Sequence, residues 1–137
     1  MPGYLSIQAS AKRDAENRHR CEAVWWESLV AMQEAGRVEE AVLQIQANER
    51  ELGKFVLDPL ERIAMLYARE VDRLLALGDR SGAASAAREA GRWMSIWASH
   101  STSGGEGTAR SGAAAELEAQ LRQKLAAADE RKDVKSN

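Results

Sequence analysis

Ala31-Met32-Gln33-Glu34-Ala35-Gly36-Arg37-Val38-Glu39-Glu40-Ala41-Val42 is echoed in register by Arg73-Leu74-Leu75-Ala76-Leu77-Gly78-Asp79-Arg80-Ser81-Gly82-Ala83-Ala84, with Gly36 and Gly78 standing 42 residues apart. In each stretch an amphipathic helical pattern runs into a Gly, and a second helical pattern opens with an Ala five residues later. Gly lacks a Cβ and takes the left-handed conformation that ends a helix. The spacing therefore predicts an αα-hairpin used twice. Such a fold offers a helical interaction surface rather than a catalytic constellation.

Working outward, the first helix is expected from near Asp14 to Ala35. Its apolar stripe is Cys21, Trp25, Ser28/Leu29 and Met32, one face of a 3.6-residue period. On that stripe Cys21 reads as a small buried hydrophobe. A second helix spans about 38–52, with Val38, Ala41, Val42, Ile45 and Leu52 inward and Gly53 closing it. Asp58-Pro59-Leu60-Glu61 is the clearest start signal in the chain: a cap, a Pro in the first turn and a Glu three residues after the cap. The third helix carries the stripe Leu60, Ala64, Tyr67, Val71 and Leu74 and stops at Gly78. The fourth, about 81–98, is small-sided in its first half (Ala83, Ala84, Ala86, Ala87, Ala90), which lets helix backbones approach closely. Residues 1–11 read as loose, and 99–112, with four glycines, as a flexible linker. Residues 113–137 then form a C-terminal helix and polar tail, with a Leu117, Leu121, Leu125 stripe suited to a helix–helix seam. The expected architecture is all-α: a hairpin domain over 1–98, a linker over 99–112, and a last helix separable from the core.

Bulk properties narrow the function. The 137 residues are 45% hydrophobic and 29% charged, proportions of a single globular domain. A net charge of −2 gives the whole molecule no attraction for nucleic acid or an anionic membrane. One cysteine excludes an internal disulfide. No secretory signal and no membrane-length apolar run is present, so a cytoplasmic protein is expected. The Ala- and Arg-rich usage suggests a GC-rich bacterial or phage genome.

Catalytic and metal patterns are missing. His19 and His100 lie far apart and in no H-x-x-x-H pattern, and Glu39-Glu40 occupy different faces of a helix. Gly104-Gly105-Glu106-Gly107 follows no strand and lacks the Lys-Ser/Thr of a phosphate loop. The chain is expected to be no enzyme and to hold no cofactor or metal.

The paired hairpins resemble tetratricopeptide-type helical repeats over about residues 20–100. Trp25, Leu29, Met32, Gly36, Ala41 and Ile45 take the family's places in one unit, and Tyr67, Val71, Leu74, Gly78, Ala83 and Ala87 in the other. The resemblance implies a right-handed stack of hairpins whose inner groove binds a peptide or a helix. The 42-residue offset is longer than the family's period of about 34, and the same residues also fit an unrelated αα-hairpin bundle.

Function is therefore expected to be non-catalytic protein–protein interaction, as an adaptor, chaperone-like binder or assembly factor and as a homo-oligomer. Trp26, Trp93 and Trp97 are candidate interface anchors, because Trp is enriched at binding hot spots, and Trp26 lies off the Cys21–Trp25 stripe. Leu117, Leu121 and Leu125 are candidate partner contacts. The alternative is a phage-type DNA-packaging small subunit, an oligomeric helical protein. It would touch phosphates through Arg13, Arg18, Arg20, Arg88 and Arg92. Nucleic acid is the less favoured partner, since interspersed acids balance these arginines.

Overall fold

A computed structural model describes the backbone of residues 2–48, 58–100 and 104–136, with side chains at 13, 16, 20–48, 58–100 and 109–131. Among the described residues the fold is all-α, with five helices: α1 (Pro2–Glu34), α2 (Val38–Ala47), α3 (Pro59–Ala76), α4 (Arg80–Ser99) and α5 (Gly104–Ser136). None of them is long and apolar enough to cross a membrane.

The two echoed stretches close in the same way. At the first turn the Gly36 N–H donates to the Gln33 carbonyl and the Arg37 N–H to that of Met32, with Gly36 at φ 83°. At the second, Gly78 donates to Leu75 and Asp79 to Leu74, with Gly78 at φ 80°. Both are Schellman closures, which satisfy the carbonyls orphaned at a helix end. The helices that follow start differently. Asp79 caps α4 by accepting from the Gly82 N–H at 2.8 Å, whereas Arg37 makes no side-chain cap and instead pairs with Glu40 one turn on. The cap of α3 is as expected, Asp58 Oδ1 accepting from the Leu60 N–H at 2.8 Å with Pro59 in the first turn.

Three equivalent pairs of the echo pack alike, whereas Val38, Val42 and Ile45 are buried and their counterparts Arg80, Ala84 and Ala87 only half-buried. Leu29 and Val71 are both fully buried, as are Ala41 and Ala83, while Trp25 and Tyr67 are both half-buried. Leu29, Ile45, Ile63 and Leu66 centre one core cluster among α1, α2 and α3. Val71, Ala83, Ala86, Ala90 and Leu121 centre a second among α3, α4 and α5, and Ala64, Met94 and Ala114 a third. The close approach expected from the alanines of α4 is realised on both α3 and α5.

Polar side chains cross the α1–α3 contact within this apolar setting. Arg62 donates to Glu22 at 2.9 Å, both nearly buried, and its guanidinium lies 4.4 Å over the Trp26 ring. Gln33 Nε2 donates to Glu70 at 2.9 Å, and Arg69 pairs with Glu34 at 3.1 Å. From Glu22–Arg62 to Gln33–Glu70 the residue numbers rise together, so α1 and α3 run parallel. In Arg110–Trp97 and Arg80–Asp129 they run oppositely, so α4 and α5 are antiparallel.

Four expectations need correction. Helix α1 starts at Pro2 rather than near Asp14, because no Pro or Gly interrupts the chain between Gly3 and Gly36. Periodicity marks where a helix is packed, not where it begins. The inward face of α1 keeps Leu29, with Trp25 and Met32 half-buried beside it, but is widened toward Glu22, Trp26 and Gln33, and this leaves Cys21 exposed. Helix α5 starts at Gly104 rather than near 113, so 104–112, read as linker, is helical; 101–103 lie outside the described residues. Finally, α5 is not a separate element. Leu121 is 3% exposed in the α3–α4–α5 cluster, because the small side chains of α4 let a third helix settle against them. The expected inward Leu52 and the stop at Gly53 lie outside the described residues.

Candidate interaction groove

The docking of α5 on α4 leaves a groove of about 490 Å³ along their seam. Ala84, Ala87 and Gly91 from α4 meet Leu121 and Leu125 from α5 to form its apolar floor. These positions recur at three and four residues, so each helix contributes one continuous edge. Gly91 has a packing role here, since a Cβ at that position would stand 3.3 Å from Glu118 Oε1.

The same periodicity places Arg80, Arg88 and Arg92 along the α4 edge, opposite Arg122 and Glu118 on α5. Arg80 makes a two-point pair with Asp129, at 2.8 and 3.1 Å. That pairing holds the Arg80 guanidinium above its ordinary pKa, chiefly through the hydrogen bond. Arg92 pairs with Glu89 at 3.0 Å and lies 5.0 Å over the Trp93 ring, and Arg122 pairs with Glu118 at 3.7 Å. Arg88 donates to the Ser85 hydroxyl at 3.1 Å and has no carboxylate partner among the described residues. All these pairs are substantially exposed, and exposed pairs contribute little and exchange readily.

The other residues singled out in the sequence are scattered. Trp26 is half-buried, packed beneath the Arg62 guanidinium and against the Leu29 cluster. Trp93 and Trp97 are half-buried over the Met94 cluster, and their indole N–H groups reach no acceptor among the described residues. Arg110 covers Trp97, its guanidinium 4.9 Å from the ring while it donates to the Trp97 carbonyl at 3.1 Å. Leu117, Leu121 and Leu125 face α3 and α4 within the chain, which corrects their reading as a stripe for an outside helix. Leu121 and Leu125 nevertheless line the groove floor. Arg13 and Arg20 are exposed on α1, far in sequence from Arg88 and Arg92, and the Arg18 side chain lies outside the described residues. Among the described residues no three His, Cys, Asp or Glu side chains converge to hold a metal.

Sequence reasoning missed Arg122 and Glu118 as groove residues. Their i, i+4 spacing was visible, but which side of α5 turns toward α4 was not. Comparison with known protein families, curated proteins and solved structures finds no match to this chain.

Proposed function

We propose that this chain is a non-catalytic protein–protein interaction module acting in the cytoplasm. The observation that carries the reading is the α4–α5 groove, which combines an apolar floor with an arginine edge and is large enough for side chains of a bound segment. Apolar anchoring with a charged rim is the composition of a protein-binding surface. The single exposed thiol of Cys21 suits a reducing compartment.

Site-specific photo-crosslinking tests it. A benzophenone side chain at Ser95, an exposed groove residue, is expected to give discrete protein adducts that a benzophenone at exposed Leu43 on α2 does not. Equal labelling from both positions would remove the groove as the binding surface. Salt-sensitive retention of duplex DNA by the wild type, lost in Arg88→Glu, would replace the reading with the nucleic-acid alternative.

A further inference from the structure

We infer that the α4–α5 groove takes an acidic amphipathic helix, which lays small apolar residues on the floor and carboxylates against the arginine edge. The inference rests on the interaction reading above and adds the chemistry of the partner. Four arginines and one glutamate line the groove, although the chain as a whole carries a net charge of −2. Three of these arginines are paired within the chain, Arg80 with Asp129, Arg92 with Glu89 and Arg122 with Glu118, but the pairs are exposed and exchangeable. Arg88 therefore gives the edge its uncompensated positive charge, and an acidic partner can compete for the others.

Arg88 supplies the clearest contact, because no carboxylate of the described chain neutralises it. Arg122 is held only at 3.7 Å and is largely exposed, so a partner carboxylate can displace Glu118 from it. The floor is what separates a helix from a nucleic acid. Ala84 and Ala87 are half-buried beside the buried Leu121, and a phosphate backbone has no apolar face to set against them. A helix with apolar residues every third and fourth position, flanked by Glu, fits both surfaces at once.

The probe is a fluorescein-labelled helical peptide with an Ala/Leu face and Glu flanks, compared with the same face carrying Lys flanks, each read by anisotropy against the full-length protein. The Glu peptide is expected to bind and the Lys peptide not. In the Arg88→Glu, Arg122→Glu double variant the Glu peptide should weaken about tenfold or more and the Lys peptide should gain binding. Ala84→Phe, which fills the floor without changing charge, should weaken the Glu peptide as well. If that variant melts early, the charge exchange decides alone. Equal binding of polyglutamate with no apolar face would overturn the inference, as would indifference of the Glu peptide to charge reversal. Protein adducts from Ser95 without any binding of the Glu peptide would leave the interaction module standing and remove the acidic helix as its partner. A concentration-dependent dimer blocked by Ala84→Phe would assign the groove to a second copy instead.

Discussion

Glu70 accepts a hydrogen bond from Gln33 Nε2 at 2.9 Å across the α1–α3 contact, and both side chains are buried. The same carboxylate receives two bonds from Arg73, at 2.7 and 2.9 Å. The Arg73 guanidinium in turn lies beside the first turn, where a Cβ on Gly36 would stand 3.6 Å from it. One carboxylate therefore links the end of α1, the middle of α3 and the first Schellman turn. The cation also sits favourably near the negative end of the α1 dipole.

Removing that carboxylate leaves Gln33 with neither polar atom partnered, since Gln33 Oε1 already has no partner among the described residues. Glu70→Leu is expected to destabilise by about 3 kcal/mol, measured by urea unfolding. Gln33→Met removes a single bond together with the unpartnered oxygen, and should cost less than about 1 kcal/mol. Equal losses for the two would show that the network is not centred on Glu70.

The two turns make a matched pair for mutation. Gly36→Ala and Gly78→Ala each force a Cβ into a positive-φ conformation, and neither new Cβ meets an atom closer than 3.6 Å. Each is expected to lose about 1–2 kcal/mol by backbone strain alone, with the two midpoints shifting alike. Asp79→Ala should lose about 1 kcal/mol through the missing cap of α4. A neutral Gly78→Ala would mean that the second turn adopts another closure in solution.

Burial ranks the apolar positions. Val71, fully buried, cannot accept a charge, so Val71→Asp is expected to abolish the cooperative thermal transition, against a total stability of roughly 5–15 kcal/mol. Leu60 is only half-buried at the start of α3, and Leu60→Asp should leave a folded protein with a lowered Tm. Leu121→Ala should cost about 2–5 kcal/mol, because Leu121 is buried where α5 docks on α3 and α4. A Leu121→Ala melt indistinguishable from wild type would detach α5 from the core.

Tyr67 provides the pH dependence. Burial raises its phenol pKa above the ordinary value, with Glu89 and Glu39 adding repulsion and Arg92 opposing. A folded pKa above the unfolded one stabilises fully below the unfolded pKa, and that contribution is lost as pH rises through the folded value. Ultraviolet titration of a Tyr4→Phe variant should place native ionisation at higher pH than in urea. Coincident curves would show Tyr67 to be solvated.

Much of the fold is written in adjacent residues. Gly36, Gly78, Asp58-Pro59 and Asp79 act through bonds spanning no more than five positions, so turns and caps are legible without any tertiary structure. The inward face of α2 is legible from its periodicity, as in Val38, Ala41, Val42 and Ile45, whereas on α3 the fully buried Ile63 and Leu66 fall outside the expected stripe, of which only Ala64 and Val71 are buried. The face of α1 is also less legible. Cys21 looked apolar and Glu22 polar, yet Arg62, forty positions away, turns Glu22 inward and leaves Cys21 outside.

The sequence by itself determined an all-α chain, its two Gly-closed turns and the capped start of α3, because those depend on local backbone conformation and short-range hydrogen bonds. Only the tertiary structure decided that α5 docks on α4, that Leu121 is buried within the chain and that Arg80, Arg88, Arg92 and Arg122 edge one groove. The physical reason is that these outcomes depend on how two helices rotate about their axes when they meet. That rotation is set by matching the small side chains of α4 to the leucines of α5 and by partners such as Arg80 and Asp129, which stand 49 residues apart.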